Sequence, residues 1–506
     1  MRAARIARTA IAVAVAGLSC ASQAAPTAQD KLLAELKRLA ERVEKLEKRN
    51  TELEARLAAG TAAPAPGLAQ RVQALEQANQ ELAASLESDR ISERDPEIAI
   101  RLKSIEERTN NMGAPTKLAG ALEGIQVEGS VAAVAQRING GARTDGKAES
   151  QLSWRGDLGI TVPAGDIGRG TGEFFTQLRV GQGERDSFTQ LQPTFTGAFN
   201  SLAFQGDADA SKTFAIVAQA WYQLTTPLGD SANSPHSLQF TVGKMDPFVF
   251  FDQNAIADNE AEKFLNNVFV HNPLLDSGGA VGVDEFGFTP GVRVAYRNEM
   301  NKPDWWQISL AAFGAGNGAT FGRSFDKPFV IGQLEYGRKN YGFDGTYRLY
   351  AWRNPQFEGF DPARGEHATT GWGASVDQRV HEDVTLFARY GQSSSGKAAF
   401  DRAFTIGGEL TGDAWDRGAD SVGLAWAWLR SSSDFRREAA GLVDDEGAAV
   451  FGYTPRGAEQ VAELYYRWHL NDQLSLTPDL QYVRRAAANR DAKNMTAFGV
   501  RALYAF

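Results

Sequence analysis

The densest collection of groups able to do chemistry lies around Pro247 to Gly287, in the run DPFVFFDQNAIADNEAEKFLNNVFVHNPLLDSGG. Asp252, Asn254, Asp258, Asn259, Glu260 and Asn267 offer hydrogen-bonding groups there, and Phe248, Phe250, Phe251, Phe264 and Phe269 offer flat apolar faces. Carboxylates and amides beside aromatic rings suit reversible recognition of a polar solute, with hydrogen bonds to its hydroxyls and a ring over its apolar face. The candidate contacts are Asp252, Asn254, Asp258, Glu260, Phe264 and Asn267. Constellations for bond-breaking chemistry are missing. His236, His271, His367, His381 and His469 are scattered without an HExxH pair, and no G-x-S-x-G elbow occurs. Ser421, in DSVGLAWAW, has no evident base, and GAGNGATFG lacks the lysine of a phosphate-binding loop. The reading is therefore not an enzyme, with no catalytic residues, no metal and no cofactor.

These groups need elements to position them, and from about residue 120 the hydrophobic period is two. In Val461 to Leu470 one face carries Ala462, Leu464, Tyr466, Trp468 and Leu470, and the other Glu463, Tyr465, Arg467 and His469. After Asn471-Asp472-Gln473, Leu474, Leu476, Pro478, Leu480 and Tyr482 alternate with Ser475, Thr477, Asp479 and Gln481. Wide aromatic residues on one face and charges on the other fit lipid outside and water inside. A sheet so placed must close, because an open edge would leave backbone groups unpaired in hydrocarbon. Segments of this kind parse into about sixteen strands. Short links at Glu299–Pro303, Arg338–Tyr341, Val380–Asp383 and Leu470–Gln473 mostly alternate with longer Gly-, Asp-, Asn- and Ser-rich ones. The expected fold is an all-β transmembrane barrel of antiparallel strands, with short turns and both ends of the barrel domain on the periplasmic side. Its last strand, with Phe498, Val500, Ala502, Tyr504 and Phe506, looks like the signal that the barrel-assembly machinery reads.

An interior of that width is aqueous, not a packed core. Arg155, Arg179, Arg293, Asp344, Arg348, Arg389, Glu463, Arg467, Asp479 and Arg501 are candidates for its wall, and a mixed-sign wall suits small polar neutral solutes. The 247–287 segment then has three open placements: a constriction folded into the opening, a structural rim, or a divalent-cation site, for which the calcium-loop spacing is missing.

The N-terminal part reads differently. Residues 1–24 carry Arg2, Arg5 and Arg8, an apolar run from Ile11 to Leu18 and a small-residue cleavage site, the pattern of a signal peptide. Cys20, the single cysteine, falls inside it. Residues 25–112 are expected to form a periplasmic coiled-coil region: Leu36, Val43, Asn50 and Leu57 alternate with Leu32, Leu39, Leu46 and Leu53 on a heptad seam. A second seam follows the break at Pro64 and Pro66, again with an asparagine, Asn79. Such a seam needs partner helices, so a homo-oligomer is expected, against the alternative of an intramolecular hairpin. Residues 113–122 form a linker, and 123–506 the outer-membrane barrel. A formal charge of −9, with no basic domain, excludes a general nucleic-acid binder.

Three blocks, GKMDPFVFFDQNAIADNEAEKFLNN, VGLAWAWL and AELYYRWHLNDQLSLTPDLQYV, resemble the carbohydrate-selective porin family of Gram-negative bacteria. The resemblance implies a sixteen-stranded channel passing sugars or other small polar solutes by passive diffusion, without cofactor or energy source. It makes Asp252, Asn254, Glu260, Phe264, Leu265 and Asn267 motif positions. The long N-terminal extension is similar to that of porins in other bacterial groups, where it precedes the same barrel and contacts the cell wall. Expected partners are outer-membrane lipid, small polar solutes with sugars favoured, the cell wall through the coiled coil, and two further copies in a trimer. The alternatives are a general or ion-preferring porin, and a structural barrel tethering the envelope through its oligomerising stalk.

Overall fold

A strand with one apolar and one polar face fits between lipid and a polar interior, and sixteen of them do so here by closing on themselves. The computed structural model describes residues 124–183, 188, 191–197, 199–202, 213–229, 234–275, 286–315, 325–444 and 446–506. The signal peptide, coiled coil and linker expected over residues 1–122 lie outside the described residues.

The first quarter of the barrel is Gln126–Ile138 (β1), Glu149–Ile167 (β2), Gly170–Gln182 (β3) and Phe214–Pro227 (β4). His236–Met245 (β5), Thr289–Asn298 (β6), Trp305–Phe313 (β7) and Phe329–Asn340 (β8) follow. Phe343–Phe357 (β9), His367–His381 (β10), Val384–Ser395 (β11) and Phe400–Thr411 (β12) come next. Ser421–Ser431 (β13), Ala458–His469 (β14), Leu474–Arg484 (β15) and Met495–Ala505 (β16) complete the ring. Each strand pairs antiparallel with its chain neighbours, and β1 closes on β16 from Ser130 opposite Ala505 to Ile138 opposite Ala497.

Side-chain period fixes which face each residue meets. Leu349, Leu464, Leu480, Phe498 and Tyr504 stand exposed on the outer wall, while Arg348, Glu463, Asp479 and Arg501 are buried inside it. The longest connections, β3–β4, β5–β6 and β13–β14, fall at one end of the barrel, and the two-residue links β2–β3, β8–β9 and β10–β11 at the other. β8 joins β9 through Tyr341 and Gly342 alone, at φ of 53° and 87°. Positive φ at both central residues is the hairpin geometry that matches strand twist.

The count of sixteen strands agrees with the sequence reading. β12 begins at Phe400, and a bulge at Asp401 breaks its period of two. Phe400 pairs with Ser431 and Arg402 with Arg430, so Phe400 and Ala403 both face inward although three positions apart.

Inside, the barrel has two tiers. Toward the long-connection end, Phe248, Phe251, Phe264 and Phe269 pack against wall residues Phe313, Phe329, Trp352 and Phe387 in one apolar cluster. The interior is therefore not uniformly aqueous. Charged side chains ring the barrel at mid-height.

Placing a cation in the lipid belt tests the assignment of faces. Leu349→Arg, at the middle of β9 on the outer wall, is expected to cost about 2–4 kcal/mol. The readout is equilibrium folding into lipid vesicles.

Candidate functional site

The β5–β6 connection turns into the barrel immediately after Met245. Asp246 caps the first turn, its carboxylate accepting from Phe248 N at 2.9 Å. Asp252 sits fully buried with φ of 55°, a left-handed backbone that a non-glycine residue adopts only where surroundings impose it. Here they do. Asp252 Oδ1 accepts from Tyr350 Oη at 2.7 Å and Arg389 Nε at 3.1 Å, and Oδ2 accepts from Asn272 N at 2.5 Å. Its backbone N–H donates to Gln333 Oε1, and its carbonyl accepts from Arg389 Nη2, each at 2.9 Å. One residue thus joins the loop to β8, β9 and β11. Arg389 Nη1 also donates to Phe269 O at 2.9 Å, tying both arms of the loop to one guanidinium.

A notch in the wall receives the return arm. Gly373 and Gly391 lie opposite each other on β10 and β11, and a Cβ on either would fall within 2.7 Å of the Asn272 carboxamide. Only glycine leaves that space. Asn254, also buried, donates to Ser375 Oγ and Val376 O at 3.3 Å.

The second half of the loop reaches the far wall. Lys263 Nζ bonds Glu409 at 2.6 Å, Glu463 accepts from Leu265 N at 2.5 Å and Asn266 N at 2.9 Å, and Asn266 donates to Gln481 at 2.8 Å. A four-residue helix, Asn267–Val270 (α1), follows. Phe264 is buried between Tyr465, Phe269 and Phe387, with ring centroids 5.0, 5.4 and 5.7 Å away. Partners on β8 to β12 and on β14 and β15 place this segment within the lumen, not on its rim.

The sequence reading missed a second inward segment, in the β3–β4 connection. Gln136 and Gln481 both donate to Phe199 O, Asn200 donates to Ser153 Oγ at 2.8 Å, and Ser201 N donates to Leu265 O at 2.9 Å. The two loops therefore brace each other. Phe188, Phe195 and Phe199, all buried, and Asn200 were its available signals.

Wall charges are mostly paired with each other or with the loop. Asp157 bridges Arg155 and Arg179, both at 2.7 Å, and Arg155 also holds Glu260 at 2.6 Å. Arg348 spans Glu335 at 2.9 Å and Asp377 at 2.7 Å. Arg467 meets Glu262 at 3.1 Å, Arg501 donates to Glu260 O at 2.8 Å, and Asp479 accepts from Gln481 at 2.8 Å. Arg293 lies over the Phe250 ring at 4.8 Å and bonds Gln239. Asp344 stands apart near the β8–β9 turn, 3.8 Å from Lys339.

Of the six loop candidates, Asp252, Asn254, Phe264 and Asn267 are buried in contacts with protein, whereas Asp258 and Glu260 are half-buried. Those two border a recess with Arg179, Ser201, Asp246, Phe248, His271 and Phe288. His271 stacks on Phe248 at 3.8 Å between centroids and lies 3.4 Å from Asp258. Burial pushes the Asp246 carboxyl up to about 6, and raises Asp258 against the opposing pull of His271. Burial also acts upward on Glu260, but the Arg155 and Arg179 guanidinium groups outweigh it and hold that carboxyl below its ordinary value.

The recess should therefore gain a negative charge as pH rises through about 6. Because the folded value is raised, the ionised form is the disfavoured one, and Asp246 weakens the fold above that pH. The expected result is a rise in cation-over-anion permeability centred near pH 6, read from reversal potentials, that is absent in Asp246→Asn.

Comparison with known proteins follows from this geometry. No curated protein sequence matches the chain. The structure is similar to that of Pseudomonas putida OprB at high pH, with a TM-score of 0.59 at 19% identity, over 76% of this chain and 94% of that one. The outer membrane channel DcaP of Acinetobacter baumannii aligns with a TM-score of 0.43 at 14% identity, over 76% of this chain and 97% of that one. The family model for the carbohydrate-selective porin, OprB family, matches residues 235–506, which include the inward loop and β6 to β16. The chain belongs to the carbohydrate-selective porin, OprB family.

Proposed function

We propose that this passive outer-membrane porin passes small polar neutral solutes, carbohydrates foremost, through a lumen narrowed by its β5–β6 and β3–β4 loops. One observation carries the choice of neutral solutes over ions: five arginines of the wall, Arg155, Arg179, Arg348, Arg389 and Arg467, are matched by carboxylates within hydrogen-bond distance, as in Arg155–Asp157–Arg179 and Glu335–Arg348–Asp377. Opposed charges so close cancel each other's long-range field, which weakens selection by charge, yet their edges remain donors and acceptors for hydroxyl groups. An ion-selective pore needs an unbalanced wall. The recess at Asp258 and Glu260 is the proposed resting place for a solute, with Arg179 and Ser201 as donors and Phe248 and Phe288 as apolar faces.

In this reading the long connections face outward and the short turns face the periplasm. Residues 25–112 then form a periplasmic stalk that self-associates, with a trimer favoured, and that reaches toward the cell wall. Phe506 presents the C-terminal strand to the assembly machinery.

Single-channel conductance in a planar bilayer, titrated with glucose and then larger saccharides, tests the proposal. Saturable block is expected, and Glu260→Gln should raise the half-blocking concentration about tenfold, the worth of one charged hydrogen bond. Conductance without saturable block would assign the pore to ions or other solutes.

A further inference from the structure

The arginines of the lumen have partners; a set on the outer wall does not. Near the long-connection end, β12 and β13 carry Arg402 and Arg430 at outward positions, flanked by inward, buried Ala403 and Leu429. Register puts Arg402 directly opposite Arg430, and Gln392 of β11 opposite Arg402. On β15, Arg484 is exposed on the same outer face. Among the described residues, no carboxylate pairs with Arg402, Arg430 or Arg484. The nearest in sequence, Asp401, sits in the bulge with its Oδ1 buried and unbonded.

Two features separate this row from ordinary solvated charge. Like charges directly opposite on antiparallel strands destabilise the pair, so the arrangement is improved by an anion lying between them. The row also has a fixed level relative to lipid. Two residues nearer mid-strand, register sets Tyr390, Phe404 and Trp428 side by side on the outer face, with Ala388, Ile406 and Trp426 below them. An aromatic band on the outer wall marks the boundary of the hydrocarbon, and the level just beyond it is that of lipid headgroups. Tyr390 Oη donates to Gln392 Oε1 at 2.9 Å, leaving the Gln392 NH2 as a donor beside Arg402.

We infer that Arg402 and Arg430, with Gln392 and Arg484 at their flanks, form a binding site for the phosphate of an anionic membrane lipid. Guanidinium groups match phosphate oxygens bidentately, and two of them around one phosphate turn cross-strand repulsion into a shared anion clamp. The acyl chains then lie along the aromatic and aliphatic rows beneath. The expectation that this lipid is in the outer leaflet rests on the outward orientation of the long connections; binding itself does not.

The test uses the refolded full chain in neutral detergent, with diphosphoryl lipid A as probe and native mass spectrometry as readout. Lipid A should stay bound to the wild-type chain, and its affinity should fall at least about tenfold in Arg402→Gln/Arg430→Gln. Lipid A stripped of phosphate should not bind, and inorganic phosphate should compete only weakly. Because the variant removes repulsion, it should unfold no earlier than wild type in lipid-free detergent, and its conductance should be unchanged, since neither residue faces the lumen. Equal retention of lipid A by wild type and variant would overturn the site and leave solvated surface charge. Inorganic phosphate binding as tightly as lipid A would overturn the lipid as its ligand.

Discussion

A buried aspartate and a buried arginine cannot be left without each other, and much of the interior is arranged around that demand. Isolated charges in a low-dielectric setting cost several kcal/mol, and removing one partner of a buried pair costs about 3–5 kcal/mol. Asp252 and Arg389 are at most 1% exposed, and each is bonded further to loop backbone or wall. Their pairing specifies where the loop enters, the left-handed turn at Asp252, and the return of the chain through the glycine notch at Gly373 and Gly391. Five buried phenylalanines and several aliphatic side chains anchor that segment, but apolar burial has no direction. The ion pair and its hydrogen bonds supply the position.

From that placement the character of the lumen follows. Glu260 is carried across to Arg155, Lys263 to Glu409, and the backbone at Leu265 and Asn266 to Glu463. Wall charges that would otherwise face water are thereby neutralised in place. The outcome is an interior rich in hydrogen-bond donors and acceptors, the basis of the proposed passage of hydroxyl-bearing solutes. The same matching is absent on the outer wall, where Arg402 and Arg430 lie opposite each other with no carboxylate between them.

The wall was legible in the sequence because a period of two on a closed sheet leaves little freedom. Leu464 outward and Glu463 inward, or Leu480 outward and Asp479 inward, follow from alternation once lipid is set outside. The bulge at Asp401 escaped because it changes phase without changing composition. The loop was legible as a chemical cluster but not as a place: Asp252, Asn254 and Phe264 have the residue types of solute contacts, and the structure uses them to hold the loop to the wall. Nothing local separates those two uses, since the partners Gln333, Tyr350 and Arg389 lie 81, 98 and 137 residues away. The inward β3–β4 segment was less visible still, because its anchors are mainly backbone groups such as Phe199 O and Ser201 N.

The most direct test of the account is the single-channel conductance of Arg389→Ala against wild type, both refolded into planar bilayers. If the buried pair holds the loop across the lumen, the variant still inserts as a barrel but conducts more, with noisier openings and a weakened sugar block. Wild-type conductance with wild-type sugar block in the variant would contradict the account, and would mean that the pair does not set the passage.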